Sequence, residues 1–176
     1  NGDATCDVSI GTYSFDCSTN GQNSLSFDGL NDGVNCGATP SLDITGTQLT
    51  LEAWIYPTAF KPNTFDGNII NKEGGNAGYQ LRCGGNGVLE SALGTGGGYI
   101  TVTSPVATLT LNTWQHVAVT YDGVNAKLFK NGLEVASVAG TLPIVTSPNA
   151  MRIGDSAVTP GARNSAGRID EARGPH

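Results

Sequence analysis

A cluster of possible oxygen ligands lies in the short turn "FDGLND", residues 27–32. Asp28, Asn31 and Asp32 fall close together there. Calcium is a hard ion that collects six to eight oxygen atoms from carboxylates, side-chain amides and backbone carbonyls. The turn therefore predicts a calcium site, although it lacks the D-x-[DN]-x-[DN]-G pattern of an EF-hand loop. The alternative is a turn favoured only by its Asp, Asn and Gly residues.

The carboxylates are spaced poorly for glycoside hydrolysis, which needs two carboxyl groups facing one cleft. Asp170 and Glu171 are adjacent, so in a strand their side chains point to opposite faces. Glu90, in "VLESAL", is isolated, and Glu52, in "TLEAWIY", is expected to accept hydrogen bonds at a sheet face or end. The sequence thus predicts a non-catalytic protein, with a glycoside hydrolase as the alternative.

The histidines and tryptophans are assigned structural roles. His116 is the one histidine within the predicted strands, since His176 is terminal, and an isolated strand histidine is usually packed or hydrogen-bonded. Trp54 and Trp114 lie in apolar strands, so we expect both in the core.

Four cysteines, Cys6, Cys17, Cys36 and Cys83, show no C-x-x-C spacing, and two histidines are too few for a usual zinc site. Two disulfides are predicted. Cys6 with Cys17 would staple a hairpin around "DVSIGTYSFD", which leaves Cys36 with Cys83. Disulfides imply an oxidising compartment, so we expect a secreted or cell-surface protein. The alternative is buried free thiols.

Length and charge narrow the possible partners. The 176 residues suit one domain over 1–176, with 1–22 as the stapled N-terminal segment. Nine basic and fifteen acidic residues give a net charge of -6, and without a basic cluster nucleic acid is an unsuitable partner. The apolar runs are shorter than the roughly 20 residues that span a bilayer. The first residues lack a signal segment, so a mature, soluble form is expected.

Strands and turns follow one another along the whole chain, and no segment indicates a helix. Asn131-Gly132 predicts a two-residue type I′ hairpin between "AKLFK" and "LEVAS", and Asp122-Gly123 closes a loop after "HVAVTY". In "HVAVTY", Val117, Val119 and Tyr121 share one face. About a dozen short strands of this kind predict an all-β, two-sheet antiparallel sandwich.

These segments resemble, in their order, a laminin-G-like jelly roll of the concanavalin A-like lectin/glucanase superfamily. Two departures are Gly33, where such domains usually carry an aromatic residue, and the final "IDEARGPH", where they continue as "IDEVRIYN". The resemblance extends over residues 24–173, and its matching pieces are "LSFDGLNDGV", "LTLEAWIYP", "NIINKEG", "GYQLR", "NTWQHVAVTYDG", "KLFKNGLEV", "MRIG" and "GRIDEAR".

The resemblance implies a sandwich of about 12 to 14 strands, often with one structural calcium ion. Its first and last matching strands would lie side by side and bring Asp28 near Asp170. It also implies a secreted or surface module, here expected to be bacterial, that binds a glycan or a surface protein. Aromatic residues for sugar binding would be Phe60, Phe65 and Tyr99, whose alternative role is loop packing. A spacer domain without a ligand is the remaining alternative.

Overall fold

The computed structural model describes residues 24–44 and 46–174. The predicted N-terminal segment 1–22, with its Cys6–Cys17 disulfide, lies outside the described residues. Within them the protein is all-β, as predicted, and its one helical element is a single 3-10 turn at Pro40–Leu42. No helix of this described part is long and apolar enough to cross a membrane.

Twelve strands make up the described fold, in agreement with the predicted number. In chain order they are β1 (Leu25–Asp28), β2 (Val34–Gly37), β3 (Leu49–Ala59), β4 (Asn68–Asn71), β5 (Tyr79–Gly84), β6 (Val88–Gly94), β7 (Tyr99–Thr103), β8 (Gln115–Tyr121), β9 (Asn125–Lys130), β10 (Leu133–Ala139), β11 (Met151–Ile153) and β12 (Ala166–Arg173).

The strands form two antiparallel six-stranded sheets, which confirms the predicted sandwich. Sheet I has the order β1-β12-β3-β8-β9-β10, and sheet II has the order β2-β11-β4-β5-β6-β7. The first and last described strands are neighbours in sheet I, as the resemblance implied.

Burial with a period of two produces this packing. In β3 the side chains of Leu51, Ala53 and Ile55 are buried in the core, while the residues between them face outward. Sheet II contributes Leu81 and Leu89 to the same core. Because alternate strand residues point to opposite faces, each strand of sheet I presents one face to the core and one to solvent.

The predicted meander is confirmed in β8, β9 and β10, which pair antiparallel in sequence order. Asn131 and Gly132 have φ angles of 50° and 78°, as a type I′ turn requires. This turn fixes the register of β9 against β10 and so decides which side chains of sheet I point outward.

The predicted Cys36–Cys83 disulfide is wrong in this fold, because both residues are buried free thiols. Cys36 lies in β2 and Cys83 in β5, with β11 and β4 between them. Three inter-strand steps amount to about 14 Å, whereas a disulfide needs Cα atoms within about 7 Å. Burial raises the pKa of the Cys36 thiol to about 11 and that of Cys83 to about 12.

Candidate functional site

Both tryptophans lie on the outer face of sheet I, so their expected place in the core is wrong. Trp54 is 40% exposed and Trp114 is 37% exposed. Trp54 is in β3, where its neighbours Ala53 and Ile55 point into the core. Large aromatic side chains are costly to leave in water, and their exposure is typical of a binding surface.

Four ring-bearing side chains form a two-by-two arrangement there. Trp54 lies opposite His116 in the register of β3 and β8, with ring centroids 5.5 Å apart and planes inclined by 64°. The rings of Tyr56 and Trp114 are 5.7 Å apart and inclined by 57°. We call these four residues, Trp54, Tyr56, Trp114 and His116, the aromatic platform.

Charged side chains hold the platform in place. Glu52 Oε2 lies 3.3 Å from His116 Nε2, and Glu52 Oε1 accepts a hydrogen bond of 3.1 Å from Arg173. The Arg168 guanidinium lies over the Tyr56 ring, 5.7 Å from its centroid. These contacts limit the rotamers of His116 and Tyr56, so a ligand would meet rings that are already oriented.

The sequence contained the signal for this surface. Val117, Val119 and Tyr121 were assigned to one buried face, which places His116 on the opposite face. The same alternation in β3 separates Leu51 and Ile55 from Trp54. The expectation that the tryptophans are in the core rests on the apolar character of their strands as a whole, without the alternation of faces within each strand.

A network of polar side chains lies on the face of sheet II that points away from the core, and most of these side chains are buried. We call it the polar row, and its hydrogen bonds cross four neighbouring strands. Asn71 and Arg82 both donate to Gln80 Oε1, at 3.2 and 2.8 Å. Arg82 Nε donates to Glu90 Oε1 at 2.8 Å, and Thr103 donates to Glu90 Oε2 at 2.8 Å.

Two of the three predicted sugar-binding aromatics border this polar row. Phe65 is 48% exposed and lies between the guanidinium groups of Arg82 and Arg163, at 5.9 and 5.7 Å from its centroid. Tyr99 shares the outer face of sheet II and donates a hydrogen bond to Glu73. Desolvation, followed by the hydrogen bond to Glu73, raises the pKa of Tyr99 to about 12. Phe60 instead packs against the core.

The two most buried carboxylates of the described residues accept hydrogen bonds through both of their oxygens. Both oxygens of Glu90 accept hydrogen bonds from Arg82 and Thr103. Asp155 accepts from Asn164 and Gly161 through Oδ1 and from Arg152 through Oδ2. A catalytic acid or base needs an oxygen that can exchange a proton with substrate. Both oxygens of each carboxylate already accept hydrogen bonds from within the protein.

The register of β1 and β12 separates Asp170 from the other three predicted calcium ligands, which lie in the "FDGLND" turn. Asp28 lies opposite Ala166, so Asp170 is four residues further along β12, about 13 Å away. The expected approach of Asp28 to Asp170 is therefore wrong. Asp28 Oδ1 accepts hydrogen bonds from the amides of Leu30 and Asn31, and Asp32 Oδ2 accepts one from Asp28. Among residues 24–44 and 46–174, no three acidic, histidine or cysteine side chains form a metal-binding group. The calcium site itself stays a prediction, without Asp170 among its ligands.

Comparison with known families identifies the fold. A family model described as the concanavalin A-like lectin/glucanases superfamily (Laminin_G_3) matches residues 14–173. This match covers most of the chain, so the chain belongs to this laminin-G-like family, as its sequence segments predicted. No curated protein sequence matches the chain.

Several solved structures share the sandwich. The sialidase CBM40 of Ruminococcus gnavus has a TM-score of 0.67 at 16% identity, with 88% of this chain and 90% of that chain covered. Domain 4 of an extracellular GH43 arabinanase from Geobacillus stearothermophilus, in complex with arabinotriose, has a TM-score of 0.60 at 17% identity, covering 94% and 77%. At these identities the similarity concerns the fold alone.

A protein from Bacteroides ovatus assigned as carbohydrate-binding is more similar in sequence, with 28% identity and a TM-score of 0.54. The match covers 73% of this chain and 37% of that chain. This chain therefore spans little more than a third of the Bacteroides protein.

Proposed function

We propose that this protein is a non-catalytic, extracellular binding module that recognises glycans through the aromatic platform. The exposure of both tryptophans on one sheet face, beside Tyr56 and His116, carries this proposal. A sugar ring has apolar C–H faces and a rim of hydroxyl groups. Aromatic faces bind the C–H faces of the sugar. The polar tips of the rings and the neighbouring charged groups bind its hydroxyl groups.

The carboxylates support a binding role over hydrolysis. Glu90 and Asp155 are held by arginine and amide donors, and Glu52 is held between His116 and Arg173. We therefore expect no release of reducing sugar when the protein is incubated with the polysaccharides it binds. Release at a rate that Glu90→Gln abolishes would instead support the glycoside hydrolase alternative.

An extracellular, bacterial origin is part of the proposal. The 28% identity to the Bacteroides ovatus protein assigned as carbohydrate-binding supports the bacterial origin. The described cysteines give no support to an oxidising compartment, because Cys36 and Cys83 are free thiols.

Retention on insoluble polysaccharides tests the function. The wild-type protein and the variants Trp54→Ala and Trp114→Ala are mixed with cellulose, xylan and arabinan, and the free protein is measured. We expect each tryptophan variant to lose about tenfold or more in affinity, the size of a binding hot spot. Leu133→Ala is the matched control, because Leu133 is 73% exposed on sheet I but lies outside the platform.

Other outcomes would contradict the proposal in different ways. If Phe65→Ala loses binding while both tryptophan variants keep their affinity, the binding site lies at the predicted aromatics that border the polar row. Absence of retention on every polysaccharide would favour the spacer alternative. Capture of a surface protein through the platform would favour the protein-binding alternative.

A further inference from the structure

Acidic side chains outnumber arginines around the aromatic platform. Glu52 is paired with Arg173 and contacts His116. Arg168 and Asp170 point outward from β12, opposite Tyr56 and Trp54. The rim thus carries two arginine side chains and three acidic ones, since Arg173 pairs with Glu171 as well as with Glu52. The whole chain has a net charge of -6. A polyanionic ligand needs several basic groups that are free to pair with it, and this surface does not offer them.

The size of the platform suits a small ligand. At 40% and 37% exposure, two tryptophans of up to about 250 Å² each present on the order of 200 Å². A stable protein–protein interface buries about 800 Å² on each partner. The platform is therefore too small to hold a second copy of the chain by itself, but it is large enough for a few sugar rings.

The arrangement of the rings favours stacking over hydrogen bonding. Trp54 and Tyr56 are two residues apart on β3, so the two ring pairs are separated by about 7 Å along the strand. Sugars with equatorial hydroxyl groups expose broad C–H faces to such rings. Their uncharged hydroxyl groups need only single donors and acceptors, such as the tips of Trp114, His116 and Arg168.

Resting on the proposed function, we infer that the aromatic platform selects neutral glycans and excludes carboxylated or sulfated ones. The distinction matters because the same sandwich fold, in the Ruminococcus gnavus CBM40, is found bound to a sialyllactose. The selection here follows from the rim, in which acidic side chains outnumber arginines, and from the overall negative charge. Both repel acidic chains at low ionic strength.

Tryptophan fluorescence reports directly on the aromatic platform. The chain has two tryptophans, and both lie in the platform. A change of tryptophan emission on ligand binding therefore reports on this surface, whereas a ligand at the polar row of sheet II would leave the emission unchanged.

Fluorescence titration with defined oligosaccharides tests the inference. The neutral probes are cellohexaose, xylohexaose and mannohexaose, and the acidic probes are hexagalacturonate and sialyllactose. We expect at least one neutral probe to shift the emission to shorter wavelength, with an affinity that is the same in about 0.05 and about 0.5 M NaCl. We expect the acidic probes to bind at least about tenfold more weakly than that neutral probe.

The outcomes separate this inference from the proposed function. Tight, salt-sensitive binding of hexagalacturonate or sialyllactose that Trp54→Ala removes would overturn neutral selectivity but leave the platform as a glycan site. Emission unchanged by every neutral probe also overturns the inference. In that case, equal retention of wild type and Trp54→Ala on the insoluble polysaccharides would show that the proposed site has failed too.

Discussion

Arg82 and Glu90 lie directly opposite each other on β5 and β6 and form an ion pair on the outer face of sheet II. Their side chains are 9% and 8% exposed. Arg82 also donates to Gln80, and Glu90 also accepts from Thr103. The pair is thus the centre of a hydrogen-bonded row that links β4 to β7, and it fixes the surface that Phe65 and Tyr99 border.

Removing one partner of this pair should be costly. In Glu90→Ala the Arg82 guanidinium stays buried without its carboxylate, and breaking a buried ion pair in this way lowers stability by about 3 to 5 kcal/mol. The double variant Arg82→Met with Glu90→Leu should lose less than Glu90→Ala, because it leaves no unpaired charge. Urea unfolding measures both. A loss below about 1 kcal/mol in Glu90→Ala would mean that water reaches the pair.

The thiols of Cys36 and Cys83 should be free but protected. Burial raises their pKa values to about 11 and about 12, so little thiolate forms at neutral pH. We expect iodoacetamide to leave both unmodified in the native protein and to label both after unfolding without reductant. Peptide mass mapping locates the label. Disulfide-linked peptides that contain Cys36 and Cys83 would contradict the fold at β2 and β5.

The distance along the chain over which a feature is encoded decides which sequence predictions are correct and which are wrong. The Asn131-Gly132 turn and the alternation in "HVAVTY" were predicted correctly, because both are encoded by residues a few positions apart. The Cys36–Cys83 pairing was wrong, because it depends on the order of strands within a sheet, and local pattern does not encode that order.

The candidate site also combines features that local sequence encodes with features that depend on how the strands pair. That β1 and β12 are neighbours was implied by the family resemblance, but their register was not, and the register separates Asp28 from Asp170. Trp54 is different, since its outward direction follows from the alternation of Leu51, Ala53 and Ile55. The arrangement of Trp114 beside Tyr56 required the pairing of β3 with β8, which only the structure supplies.

Chelation of metal ions tests the predicted calcium ion. Since Asp28 and Asp32 already accept backbone hydrogen bonds within the turn, we expect EDTA to leave the melting temperature unchanged. Asp28→Ala should lower stability by about 1 kcal/mol, as loss of a turn-capping acceptor does, with no effect of added calcium. A fall in melting temperature with EDTA that calcium reverses, and that Asp28→Ala abolishes, would instead support the ion.

The position of Asp155 explains why Gly33 departs from the family pattern. A side chain at position 33 would collide with Asp155. A Cβ atom on Gly33 would lie 2.7 Å from the Asp155 Cβ, and Asp155 is almost completely buried. Gly33→Ala should therefore lower the free energy of unfolding by about 1 to 3 kcal/mol, the usual cost of overpacking. Gly98→Ala is the matched control, since nothing lies within 4 Å of its Cβ position, and it should be neutral or stabilise by up to about 1 kcal/mol. Urea unfolding compares the stabilities of the two variants. Equal stabilities would show that Asp155 can move away from the added methyl group. Its hydrogen bonds with Asn164 and Arg152 would then not hold it rigidly.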